Sequence, residues 1–235
     1  MVDLYVGKTF DESKKDQFIS LRVELKIYIL VDDSASWIMP YANILATNLI
    51  GKRHEVSLVS HQDDILKCDI AFYLGCVSIV KKKIMDRSDS RIVVHPSSLP
   101  QGRGFSPLAW QILEGKNIIT VTLFEATENV DEGDIYLTSD IHLNGTELNH
   151  EIKEKQGNVT VELCMKYVDL YGTCKPYQQS GMASYFQKRT QNDSQLDPHK
   201  SIADQFDLLR VVDNKRYPAF FRYRGCDYIL KINKK

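Results

Sequence analysis

Residues 91–135 constrain this chain more than any other stretch, because two short apolar runs there each feed a loop that carries ionisable chemistry. The first run, residues 92–94 (IVV), reads as a strand that delivers His95 to a turn. Pro96, Pro100, Gly102 and Gly104 then hold the chain in an irregular loop. The second run, residues 118–124, reads as a strand that leaves into a tight acidic loop at 129–134 (NVDEGD). A histidine at one strand end and a carboxylate beyond the next strand can meet at one edge of a sheet, the edge where open α/β sheets place their ligands. The expectation is an acid–base site built on His95 and Asp131. Histidine suits proton transfer near neutral pH, and a nearby carboxylate orients the ring and favours its charged form. On chemistry alone Asp134, three residues further on, competes with Asp131 for that role.

Strand patterns at 26–31 (KIYILV), 55–60, 69–74 and 134–138 alternate with helical ones. That alternation predicts an α/β fold with a Rossmann-like, mostly parallel sheet flanked by helices. The first strand is apolar on both faces, as a buried parallel strand is. A helix is expected from Ser34 or Ser36, with Pro40 in its first turn or kinking it. Residues 147–170 read as a long helix, with a kink expected at Gly157. No GxGxxG follows the first strand, so a dinucleotide site loses its main support. Residues 6–9 (VGKT) carry the letters of a phosphate loop without its earlier glycine or its preceding strand; the mixed-charge run at 11–16 reads as a solvated helix or an extension. After Gly172 the texture changes to a polar connection at 175–181, an aromatic-then-basic run at 185–189 and a helix at 201–213. Strands at 217–221 and 228–230 follow, around a turn at Gly225. The expected organisation is an N-terminal extension at 1–25, a main domain at 26–175 and a small C-terminal subdomain at 176–235.

The charge balance, 30 Lys+Arg against 31 Asp+Glu, gives no basic excess for wholesale nucleic-acid binding. The five cysteines are odd in number, widely spaced and without a CxxC, which argues against a disulfide framework or a zinc site. No histidine pair has metal-ligand spacing, so no metal is expected. No apolar run is long enough to span a bilayer and no leader is visible, so a cytoplasmic protein with reduced thiols and no membrane insertion is expected.

Residues 95–104 (HPSSLPQGRG), 106–115 (SPLAWQILEG) and 130–135 (VDEGDI) together resemble the paired loops and intervening short helix of the folate-dependent formyltransferase family. The resemblance covers about residues 26–143. Residues 185–189 and 217–221 look like the branch that formylates nucleotide-linked amino sugars. The resemblance implies 10-formyltetrahydrofolate as formyl donor, a homodimer, and an acceptor amine on a 4-amino-4,6-dideoxy sugar carried by UDP or dTDP for surface glycan biosynthesis. It selects Asp131 over Asp134 as partner of His95. It places donor contacts at Gly75, Cys76, Val77, Leu99, Pro100, Arg103, Gly104, Val130, Gly133 and Asp134. Acceptor contacts are expected at Trp37 and Tyr41, which share a helix face, and at Tyr185, Lys188 and Arg189, where aromatics beside cations suit a nucleotide diphosphate. The alternatives for these five are packing on the sheet and an ordinary exposed strand edge. The sequence departs from the family at Val93, where members carry an asparagine two residues before the histidine. Three substitutes for that carbonyl-polarising amide are open: protonated His95, a backbone N–H after His95, or a bound water. Two other functions share the motif, a formyltetrahydrofolate hydrolase and a sugar-nucleotide-binding protein with impaired chemistry.

Overall fold

The computed structural model describes residues 24–235, so the letters at 6–9, the charged run at 11–16 and all but the end of the 1–25 extension lie outside the described residues. The main layer comprises β1 (Lys26–Leu30), α1 (Met39–Gly51), β2 (Glu55–Val59), β3 (Cys68–Tyr73), α2 (Lys82–Met85), β4 (Ser88–His95), β5 (Arg103–Gly104), α3 (Pro107–Leu113), β6 (Ile118–Glu125), β7 (Ile135–His142) and α4 (Asn149–Asp169). Six of these strands form one sheet in the order β2-β1-β3-β4-β6-β7. The pairings among β2, β1, β3 and β4 are parallel, and those of β4 with β6 and β6 with β7 are antiparallel. The expected α/β architecture with a mostly parallel sheet is what forms.

Alternation along each strand loads both faces of this sheet. Ile27, Ile29, Ile70, Phe72, Ile92, Val121 and Leu123 face α1 and α4, where they meet Leu45, Leu49 and Leu163. Tyr28, Leu30, Ala71 and Tyr73 face the other way, onto Ile84 and Met85. Each such side chain contributes roughly 1.5–3 kcal/mol by leaving water, which is why residues 27–31 (IYILV) are apolar throughout. Val93 and His95, two residues apart on β4, share the α2 face.

Two helix expectations come out differently. Pro40 does sit in the first turn of α1, where its missing N–H costs nothing. At Gly157, however, α4 runs on without a break. A Cβ at that position would stand 2.4 Å from the ring of Tyr41, so the glycine lets α1 and α4 approach closely. The strand expected at 92–94 extends back to Ser88, because Ser88, Ser90 and Arg91 find partners on β3.

Beyond α4 the chain supplies β8 (Tyr185–Phe186), β9 (Gln195–Leu196), α5 (Phe206–Val211), β10 (Ala219–Tyr223) and β11 (Cys226–Leu230). The helix expected at 201–213 is shortened to six residues plus a preceding 3-10 turn. Gln205, at the end of that turn, closes a local loop by accepting the Asp197 N–H at 2.6 Å and donating to the Asp197 carbonyl at 3.0 Å. The strands β11-β10-β9 form a second sheet around Leu196, Leu209, Val212 and Ala219. It is anchored to the main layer by Arg210, 1% exposed, whose guanidinium reaches Asn117 at 3.0 Å and faces Glu147 at 3.9 Å. Burial pushes the Glu147 carboxyl up, but N–H donors at Asn144 and its own backbone, with Lys155, outweigh it and bring the value down to about 2.

Candidate active site

The loop that follows His95 is fixed from several sides. Pro96 has no N–H, and the Ser97 N–H turns back to the His95 carbonyl at 2.9 Å. Gln111 on α3 donates to the Pro96 carbonyl at 2.7 Å, and Thr122 on β6 donates to the Ser97 carbonyl at 2.6 Å. Leu99 buries itself against Phe124, Ile135 and Val93, and the Leu99–Pro100 bond is cis. Gly102 and Gly104 take positive φ of 70° and 94°. Side chains there would also collide with β8: a Cβ at Gly104 would lie 2.5 Å from the Phe186 carbonyl oxygen. β5 and β8 run parallel, Arg103 opposite Tyr185 and Gly104 opposite Phe186. Ser184 completes the seam, its hydroxyl and carbonyl each accepting a backbone N–H, from Gly102 and Arg103, at 2.9 Å.

His95 and Asp131 meet. The His95 Nε2 lies 2.8 Å from the Gly102 carbonyl, which only accepts, so the Nε2 carries the proton. The Nδ1 faces the Asp131 Oδ2 at 3.8 Å, with both side chains 9% exposed. That distance exceeds a hydrogen bond and suits charge pairing with a protonated ring. The same Oδ2 accepts the Gly104 N–H at 2.8 Å. Ring orientation, assigned to Asp131 by the sequence reading, is thus supplied by the Gly102 carbonyl. Asp131 stands instead as the charge facing the open nitrogen. Asp134 closes the base of the loop through its carbonyl, which accepts the Glu125 N–H at 2.9 Å. Gly133 packs so tightly there that a Cβ would stand 1.7 Å from the Glu125 oxygen.

Arg103 is committed inside the protein. It pairs with Glu132 at 2.6 Å, donates to Gln179 at 2.7 Å and to the Tyr185 hydroxyl at 3.1 Å. After β3, Gly75 takes φ 60° against Ile38, and the Asp32 carboxylate accepts the N–H groups of Val77 and Ser78 at 2.9 and 2.8 Å. Burial pushes the Cys76 thiol up to about 12, so it stays protonated and donates to the Leu30 carbonyl at 3.6 Å. An ion pair between Lys82 and Glu128 joins this side of the edge to the acidic loop. Val93 lies between Tyr73 and Phe124 in the strand register, among apolar neighbours. A backbone N–H directly after His95 is not on offer, since Pro96 lacks one and that of Ser97 is spent. Protonated His95 or a water remains for the carbonyl.

The expected acceptor residues separate into two groups. Tyr41 seats its ring on Gly157, and Trp37 meets it edge-on at 6.2 Å between centroids. Both pack into the cluster on the α1 and α4 face, opposite the face that carries His95. The structure therefore gives Tyr41 the packing role and does not bring it to the histidine. Tyr185 does come to the site edge, exposed beside Arg103. Arg189 lies over the Trp110 ring at 5.8 Å, where burial lowers its pKa, and Lys188 is exposed. Gln111, Thr122, Gln179 and Ser184 hold the site and were not singled out from sequence. Each acts through a contact remote in the chain, and only the short-helix match touched one of them, Gln111.

Residues 33–167 match the family described as Formyl transferase, more than half of the chain. The chain belongs to this family. Methionyl-tRNA formyltransferase of Thermodesulfovibrio yellowstonii is 28% identical over 148 residues, covering 62% of this chain and 48% of that protein. The chain thus spans about half the length of the curated relatives it matches. Among solved structures, methionyl-tRNA formyltransferase from Clostridium thermocellum superposes with a TM-score of 0.75 at 22% identity, covering 90% of this chain and 93% of that one. A 4-N formyltransferase from Francisella tularensis does so with 0.70 at 20% identity, covering 90% and 98%. At these identities the likeness is one of fold. The family's formyl donor is 10-formyltetrahydrofolate. Val77, Ile79 and Val130, 69%, 74% and 50% exposed, are apolar side chains on the loops after β3 and β6 at the end of the sheet where His95 stands, and Lys82 pairs with Glu128 between them. Among the described residues no helix is long and apolar enough to cross a membrane.

Proposed function

We propose that the chain is an N-formyltransferase that moves a formyl group from 10-formyltetrahydrofolate to the amine of a nucleotide-linked 4-amino-4,6-dideoxy sugar carried by UDP or dTDP. The observation that carries the transferase reading is the buried approach of the His95 Nδ1 to the Asp131 Oδ2 at 3.8 Å, inside the stretch that matches the family. Bound, the donor supplies the activated one-carbon unit, and the chain's residues handle protons and charge. His95 accepts at Nδ1 the proton shed by the attacking amine, because its Nε2 is already engaged with Gly102. Asp131 stabilises the resulting imidazolium, and the ring then returns the proton to the departing nitrogen. With valine at position 93, the developing negative charge on the formyl oxygen falls to the imidazolium or to water.

Two features support a sugar nucleotide as acceptor. Tyr185 and the Arg189–Trp110 pair place aromatic surface and cationic charge beside the Arg103 loop. The balanced charge, 30 against 31, lacks the excess that a phosphate-rich polynucleotide selects. A second acceptor, methionyl-tRNA, is favoured by the names of the curated relatives. A turnover screen separates the two: UDP- and dTDP-linked amino sugars and methionyl-tRNA are each incubated with the formyl donor. Product with an amino sugar is expected. Product with methionyl-tRNA alone overturns the sugar reading, and formate release without any acceptor points to the hydrolase.

A further inference from the structure

We infer that Gln179, which lies outside the stretch matched to the family, is a positioning residue for Asp131: its side-chain amide latches the acidic loop and so sets where the carboxylate stands against His95. This rests on the pairing of His95 and Asp131 proposed above. Asp131 has φ 58°, in the left-handed region that few non-glycine residues adopt and aspartate enters more readily than most. Its backbone there is held by one amide nitrogen. Gln179 Nε2 donates to the Asp131 carbonyl and to the Gly133 carbonyl, each at 2.9 Å. Its Oε1 accepts from Arg103 Nη2 at 2.7 Å, and Arg103 Nη1 reaches the Glu132 carboxylate at 2.6 Å. A guanidinium only donates and a carbonyl only accepts, so the amide has one orientation that satisfies all its partners. Residues 131, 132 and 133 are thereby all held by a single Gln179–Arg103 unit.

The latch is itself placed by the backbone. Tyr177 exchanges two hydrogen bonds with Ile135, at 2.8 and 2.9 Å, which puts Gln179 opposite the turn that precedes β7. From the far side the Gly104 N–H holds the carboxylate at 2.8 Å. Asp131 is therefore gripped by its backbone from one segment and by its side chain from another. Gln179 touches no reacting atom and belongs to none of the apolar clusters, so shortening it leaves the core intact.

The test uses the full chain with Gln179→Met, which keeps length but removes both donors, and Gln179→Ala as a second variant. The Gly104 amide reports on Asp131 without any substrate, because its partner is the carboxylate. Its hydrogen exchange is expected to quicken about tenfold, the scale of one lost hydrogen bond, while amides in β1 and β3 keep wild-type rates. With an accepted amine, kcat is expected to fall about tenfold or more with KM for the amine within twofold. Asp131→Asn combined with Gln179→Met should then be no slower than Asp131→Asn alone. Unchanged Gly104 exchange in both variants overturns the latch, as does a double variant whose losses multiply. If the wild type formylates no amine, the functional reading fails, while the exchange result still decides the role of Gln179.

Discussion

At His95 the carbonyl of Gly102 leaves one ring nitrogen open. With Nε2 donating to that oxygen, the proposed proton transfer falls to Nδ1. Replacing His95 by asparagine should leave the fold intact and cut formyl transfer by about 10²–10⁴-fold, measured as turnover beside a circular-dichroism melt; near-wild-type rates would exclude the ring as proton carrier. That His95 would meet the acidic loop was legible in the sequence because the proline- and glycine-rich loop and the acidic loop are both local patterns, whereas the choice of Asp131 over Asp134 came from the family resemblance. Gln179 was not, since an uncharged polar residue in a polar connection carries no local signal. Its role exists only through contacts 46 and 48 residues away. Tyr41 shows the opposite case: helical spacing revealed the face it shares with Trp37, but not that the face points to α4.

Elements buried on both faces were readable from residue type, and β1 and β3 lie within a residue or so of expectation. β4 was not, because Ser88, Asp89 and Ser90 have little strand preference and are recruited by pairing with β3. Gly157 was read as a weakness in α4, whereas it is a contact. This yields a signed prediction. Gly157→Ala gains about 1 kcal/mol of helix propensity, but the added methyl meets the Tyr41 ring at 2.4 Å, and overpacking of that kind costs about 1–3 kcal/mol. A net loss is expected in urea unfolding. A more stable variant would show that α1 slides away from α4 without cost.

Across the whole molecule, Arg210 ties the second sheet to Asn117 beside β6, and the Glu147 carboxylate that faces it is held by its own neighbours. N–H donors at Asn144 and its own backbone, with Lys155, outweigh burial and hold that carboxyl at about 2, below its ordinary 4.5, so its contribution is fully present above pH 4.5 and drains away as the pH falls through about 2. Glu147→Gln lacks that contribution at every pH. The gap in urea midpoint between wild type and variant should therefore be widest near neutrality and close between about pH 4.5 and 2; a gap of constant width would mean that the carboxylate adds nothing as an ion. The seam between β5 and β8 has a consequence for how the protein is made. All six strands of the large sheet have been synthesised by His142, yet the backing of the histidine loop arrives only with Ser184 to Phe186. In the nascent chain the strands of the sheet are thus made before the backing of the histidine loop. Ribosome-arrested chains stalled at about residue 175 should be cut by protease near Gly102, and those stalled well past residue 190 should resist; equal cutting would show that the loop sets itself without the later strand.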